Sequence, residues 1–140
     1  MRVLAPMRLH LIAAALLGAL VLAAPAVART TSAKLVFVKG GKTDCFATIP
    51  AEGRGINCSS VYLPDTGELD PYVGLRPHGA SVLGQRGDYA GYSNVKAVTL
   101  KPRDRWRWHG ITCVAGTNTI TCRNLDGRGF TIGPDGYTAR

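Results

Sequence analysis

Ile111-Thr112-Cys113-Val114-Ala115-Gly116-Thr117-Asn118-Thr119-Ile120-Thr121-Cys122-Arg123-Asn124-Leu125-Asp126-Gly127-Arg128-Gly129-Phe130 reads as a β-hairpin closed by a disulfide. With Thr117 and Asn118 as a two-residue turn, Gly116 faces Thr119, Ala115 faces Ile120, Val114 faces Thr121 and Cys113 faces Cys122. Counting outward from a hydrogen-bonded flanking pair, the cysteines fall on a non-hydrogen-bonded position. There the Cα atoms approach to about 4.5 Å, within disulfide reach.

The chain has four Cys, which permit three pairings. Spacing favours Cys45 with Cys58 and Cys113 with Cys122, each closing a short local hairpin. Loops of roughly 10 to 15 residues are worth about 3 kcal/mol each in the chain-entropy account. An even count of Cys fits an oxidising compartment. No Cys-x-x-Cys pair is present and an oxidising compartment disfavours free thiolates, so a zinc site is set aside; no cofactor is expected. Ile56-Asn57-Cys58 echoes Ile111-Thr112-Cys113 and Ile120-Thr121-Cys122. Period-two alternation puts Ile and Cys of each unit on one strand face. Either the chain is duplicated, or an inward Ile beside an inward disulfide is the same solution reached each time.

The N-terminus agrees with export. Arg2 and Arg8 precede an apolar run from Leu9 to Ala24, and Pro25-Ala26-Val27-Ala28 supplies a small-x-small end. These are the parts of a secretory signal peptide over residues 1–28, with cleavage after Ala28. The run is short for a membrane span of about 20 residues, and no stable insertion is expected once it is removed. Residues 29–140 then form a single β-rich extracellular domain. With Arg2 and Arg8 gone, 15 Lys and Arg stand against 9 Asp and Glu, a net charge of +6. That excess favours an anionic cell-wall polymer or another secreted protein as partner, with nucleic acid less expected.

Strand-forming runs follow in order: Leu35–Val38, Asp44–Ile49, Ile56–Tyr62, Ala80–Leu83, Val95–Leu100 and Gly129–Ile132, separated by Gly and Pro turns. Arg29–Ala33 reads as a frayed tail and Leu63–Gly79 as a long surface loop. No amphipathic helical window competes, so helix is limited to a turn or two. The fold class is mainly β: a small disulfide-stapled antiparallel sheet, barrel or sandwich of hairpins. Leu63-Pro64-Asp65-Thr66-Gly67 and Arg86-Gly87-Asp88 match a sorting signal and an adhesion tripeptide by letter. The first lacks the apolar span and basic tail its chemistry needs, and the second is a bare tripeptide in a Gly- and Tyr-rich loop. Asp65-Thr66-Gly67 stands as one copy, without the second carboxylate that aspartic-protease chemistry requires.

Arg105, Trp106, Arg107, Trp108 and His109 are the candidate binding residues. As a strand this segment puts Trp106 and Trp108 on one face and Arg105, Arg107 and His109 on the other. Aromatics beside cations can stack on rings while pairing anions. The competing reading has the Trp pair in the core and the Arg row solvated. If Trp106, Trp108 and Cys113 all point inward, the alternation must slip once, and Gly110 is the natural bulge. No catalytic residue can be assembled from the sequence. His78 and His109 are the only histidines beyond the leader, with Asp104, Arg105 and Arg107 near His109. The first functional expectation is therefore an extracellular or cell-envelope binding or inhibitory module. A small basic ribonuclease-like hydrolase or a structural envelope protein are the alternatives.

Thr121-Cys122-Arg123-Asn124, then Gly127-Arg128-Gly129-Phe130, with Tyr137 shortly after, resembles the C-terminal signature of a family of small secreted bacterial domains. Those read Gly-x-Thr-Cys-Arg-Asn, Gly-His-Gly-Phe and a Ser-Arg-x-x-Tyr-like ending. The Phe46 to Cys58 block more loosely resembles their Phe-x-x-Pro-x-Gly-Asn-Ile-x-Cys opening. Arg128 stands where their His usually is, and the Ser-Arg element before Tyr137 is missing. The resemblance implies no activity.

Overall fold

The computed structural model describes residues 26–48, 50–65, 67, 69–86 and 94–140. The leader expected over residues 1–28 lies, but for its last three residues, outside them. So do Ile49, Thr66 and Gly87-Asp88 of the segments named above.

The described strands are β1 (Thr30–Thr31), β2 (Leu35–Val38), β3 (Thr43–Ala47), β4 (Ile56–Ser60), β5 (Asp70–Leu75) and β6 (Val82–Arg86). They continue as β7 (Ala97–Leu100), β8 (Arg105–Trp108), β9 (Ile111–Ala115), β10 (Ile120–Arg123), β11 (Gly129–Gly133) and β12 (Gly136–Ala139). Helix among the described residues is one 3-10 turn, Pro50–Glu52. The strands form two six-stranded sheets, a first in the order β6-β5-β4-β3-β2-β7 and a second in the order β1-β8-β9-β10-β11-β12. Their inner faces meet in one core. The first sheet supplies Val36, Val38, Cys45, Ile56, Cys58, Val73, Leu75 and Leu100. The second supplies Trp106, Ile111, Cys113, Ala115, Ile120, Cys122, Phe130 and Ile132.

The hairpin register follows the sequence reading. Ala115 pairs with Ile120, Val114 with Thr121 and Cys113 with Cys122. Gly116 N donates to Thr119 O at 2.8 Å. Both disulfides, Cys45–Cys58 and Cys113–Cys122, join directly opposed residues with Cα atoms 4.0 Å apart. Two disulfides suit an oxidising environment, and no described helix is long and apolar enough to cross a membrane.

Each sheet is a five-strand meander carrying one extra parallel edge strand, and the two are built to the same register. Across the first sheet, one row reads Val98, Val36, Cys45, Cys58, Val73, Leu83. The matching row of the second reads Thr31, Trp106, Cys113, Cys122, Phe130, Ala139. The disulfide therefore joins the second and third strands of each meander at the same level. Ile56-x-Cys58 and Ile120-x-Cys122 are equivalent, whereas Ile111-x-Cys113 corresponds to Thr43-x-Cys45. The chain is a structural repeat in which edge strands are exchanged: β1 precedes the first meander but pairs with β8. Strand β7 precedes the second meander but pairs with β2.

Three expectations change. Arg29–Ala33 is not a frayed tail: Thr30–Thr31 pairs with β8, and Arg105 N donates to Arg29 O at 2.7 Å. The Leu63–Gly79 loop contains β5, which pairs with both β4 and β6 and sends Val73 and Leu75 into the core. Pro71 and Gly74 hide the alternation. At Gly84, opposite Tyr72, an added Cβ would meet the Tyr72 ring at 2.7 Å, so glycine there serves packing rather than turning. Finally, no bulge is needed at Gly110. His109 and Gly110, at φ 40° and 84°, form the tight turn between β8 and β9. Turning there brings Trp108 opposite Ile111 and Trp106 opposite Cys113, all inward.

Candidate functional site

Because the inner positions of β8–β12 are taken by the core, the alternate positions form one continuous outer face. One row across it reads Arg107, Thr112, Arg123, Gly129, then Arg140 just past β12. The neighbouring row reads Thr30, Arg105, Val114, Thr121, Thr131, Thr138. Arg105, Arg107, Arg123 and Arg140 are all exposed. None of the four is in an ion pair among the described residues, and no Asp or Glu occupies an outward position on these strands. Gly129 lies in the row because an added Cβ would meet the Cys122 carbonyl oxygen at 1.8 Å. Thr121 and Thr131 hydroxyls bond each other at 3.0 Å, part of a threonine ladder between the arginines.

Strands lie about 4.8 Å apart, so Arg107, Arg123 and Arg140 originate at intervals of about 10 Å, with Arg105 about 7 Å along β8 from Arg107. Unit charges about 10 Å apart in water repel by about 0.4 kcal/mol before screening. The repulsion is small, and no Asp or Glu side chain on these strands offsets it. The row does not hold the fold together, and its charge is open to solvent. Guanidinium forks can pair phosphates and carboxylates in bidentate fashion, and that is the chemistry this row offers.

Comparisons with protein-family models, curated proteins and solved structures find no match.

The structure divides the five residues singled out in the sequence. Arg105 and Arg107 join the outer face. Trp106 is 1% exposed, and its indole Nε1 donates to Ala33 O at 2.8 Å, so it is a core residue bracing the crossing from β1 to β2 and is closed to ligands. Trp108 is half-buried against the core, and His109 meets it edge to face at 4.9 Å. Arg123 and Arg140 escaped the sequence reading. Arg123 follows an inward Cys, which places it outward by alternation, but its alignment with Arg107 appears only through the β8–β9–β10 register.

The remaining polar clusters are largely occupied within the fold. His78 Nδ1 lies 2.8 Å from Asp126 Oδ1, and Gly79 N donates to Asp126 Oδ2 at 2.7 Å. The Gly79 amide, then the His78 ring, hold the Asp126 carboxyl below the usual carboxylate range. Leu125 rests against Gly110, so both histidines belong to the same end of the molecule. The buried Asn124 organises that end: its Nδ2 donates to Arg76 O and Gly79 O, and its Oδ1 accepts from Asp126 N and Arg128 N. Tyr137 reaches Ser81 at 3.1 Å, and Ser81 donates to Gly129 O. Asn124, Gly129 and Tyr137 thus tie the second sheet to the segment between β5 and β6, while Arg128 is exposed.

Hollows lie on the first sheet. One, of about 510 Å³, is lined by Glu52, Asn57, Tyr72, Arg76 and Arg86 among others. Its charges are internally committed: Arg86 pairs with Glu52 and lies 5.7 Å over the Phe46 ring, and Arg76 donates to Thr48 Oγ1 and Gly53 O. Another, of about 410 Å³, is lined by Asp44, Asp65, Asp70 and Lys42 among others. Burial pushes the Asp44 carboxyl up. Among the described residues no group of three or more His, Cys, Asp or Glu could hold a metal ion.

Proposed function

We propose that this chain is a secreted binding module of the cell envelope that holds a linear, phosphate-bearing cell-wall polymer across the outer face of the second sheet. One observation carries the reading: Arg105, Arg107, Arg123 and Arg140 share that face, exposed, without an acidic side chain among the strands that form it. Charges that neither pair within the fold nor are offset on the surface are available to a partner. A pleated face with regular strand spacing presents them as a series rather than as one point. The net positive charge after leader removal brings anionic polymers to the molecule, and the row decides where they bind.

The test compares oxidised residues 29–140 with an Arg107→Gln/Arg123→Gln/Arg140→Gln variant and with an equal-charge control, Lys34→Gln/Lys39→Gln/Lys96→Gln. Each is sedimented with cell-wall fractions at low and physiological salt. Retention is expected for the native chain and the lysine control and loss for the arginine variant. Equal loss in both variants would reduce the interaction to net charge. The hydrolase alternative is favoured by the hydrogen-bonded His78–Asp126 pair alone. Incubation with RNA, followed by His78→Ala if any cleavage occurs, disposes of it or revives it.

A further inference from the structure

The first residue after the expected cleavage point is held in an unusual way. Arg29 N donates to Asp104 Oδ1 at 2.8 Å. The Arg29 guanidinium reaches Asp104 Oδ2 at 3.2 Å and donates to Thr99 O at 2.7 Å. Lys101 N also donates to Oδ2, at 3.0 Å, so both carboxylate oxygens are engaged. The Asp104 side chain is only 7% exposed, whereas that of Arg29 is 54% exposed. The residues just before Arg29 lie on the surface, and Val27 is 92% exposed. The fold thus grips the chain from Arg29 onward and leaves 26–28 outside.

We propose that Asp104 is a binding site for the free α-ammonium of residue 29, the group that removal of the leader after Ala28 creates. The inference rests on the secretory-leader reading for the origin of that ammonium, and on geometry for its receptor. With Ala28 attached, residue 29 offers Asp104 one neutral amide hydrogen. With the peptide bond hydrolysed, the same nitrogen carries a positive charge against a largely buried carboxylate, and its remaining hydrogens face the side where the exposed residues 26–28 had been. A charge-assisted bond of this kind is roughly twice as strong as its neutral counterpart. The site also lies where the repeats are interlocked. Arg29 immediately precedes β1, its carbonyl takes the Arg105 amide of β8, and its side chain bonds the Thr99 carbonyl of β7. Leader removal therefore adds a charge to the anchor of an exchanged edge that is already formed.

The test uses oxidised residues 29–140 with a free N-terminus, the same chain Nα-acetylated, and a chain lengthened by Ala28 alone. Acetylation keeps the N–H and removes only the charge. Lengthening keeps an ammonium but moves it one residue away. The free chain is expected to have a folding equilibrium constant about tenfold larger than either, which corresponds to a few degrees in melting temperature. In Asp104→Asn the difference between free and acetylated chains should vanish. Equal stability of the three chains with Asp104 intact overturns the proposal. So does a free-against-acetylated difference that survives in Asp104→Asn. Should Asp104→Asn not fold, the comparison of the three wild-type chains decides by itself. N-terminal sequencing of the exported protein tests the leader separately. A mature start elsewhere than Arg29 overturns the processing step, whatever the synthetic chains show.

Discussion

The arginine row makes a quantitative demand on binding. A polyanion that displaces counterions on meeting Arg105, Arg107, Arg123 and Arg140 engages four charges. For a single-stranded phosphate polymer the slope of log affinity against log salt is about −0.7 per contact, so about −2.8 for the whole row. Between about 50 and 200 mM salt that slope lowers affinity about 50-fold. Each Arg→Gln should reduce the slope by about 0.7, and Arg107→Gln/Arg123→Gln/Arg140→Gln should leave about −0.7, a fall of less than about threefold over the same range. The perturbation should leave the fold alone, because these side chains are exposed and repel one another weakly; the urea midpoint should be unchanged or slightly higher. Fluorescence anisotropy with a labelled phosphodiester cell-wall fragment, at four salt concentrations, gives the slope directly. A native slope shallower than about −1, or the same slope in the triple variant, refutes the assignment of binding to this face.

Other outcomes concern the scaffold. The two disulfides close loops of similar length at equivalent levels of the repeat, with sequence separations of 13 and 9. Cys45→Ala/Cys58→Ala and Cys113→Ala/Cys122→Ala should therefore each lower unfolding free energy by about 3 kcal/mol in chemical denaturation; a large asymmetry would mean that the two halves are not energetically alike. Gly129→Ala should be far more damaging than Gly127→Ala. The first drives a Cβ onto the Cys122 carbonyl, while the second meets only the strain of φ 74° in open space and should cost about 1 kcal/mol. Acid should unfold the protein partly through Asp104. Burial raises its pKa, but the Lys101 and Arg29 amides and the Arg29 guanidinium outweigh burial and hold it below its ordinary value. A depressed folded value means stability present above the unfolded pKa of about 3.9 and lost as pH falls through the folded one. Urea midpoints between about pH 6 and pH 2.5 should fall less steeply in Asp104→Asn than in the native chain.

Local order was legible from sequence because it depends on short-range periodicity. The Cys113–Cys122 register needed only the Thr117–Asn118 turn and a count of two residues per pleat. The same count put Trp106 on the face opposite Arg105 and Arg107, and the structure decided that the Trp face is the inner one. It failed at Gly110, where a turn reverses the chain: opposing residues across a turn share a face, so parity restarts there and no bulge is required. It failed again at β5, where Pro71 and Gly74 interrupt the pattern although Val73 and Leu75 keep it. What only the tertiary structure decided is lateral neighbourhood. Alternation states which face of a strand a side chain occupies, but not which strand lies beside it. The parallel seams β1–β8 and β2–β7, the Arg29–Asp104 contact and the alignment of Arg107, Arg123 and Arg140 all arise from pairings between strands, and the first three span long stretches of chain. Inter-strand hydrogen bonds fix them, and no one-dimensional period encodes them.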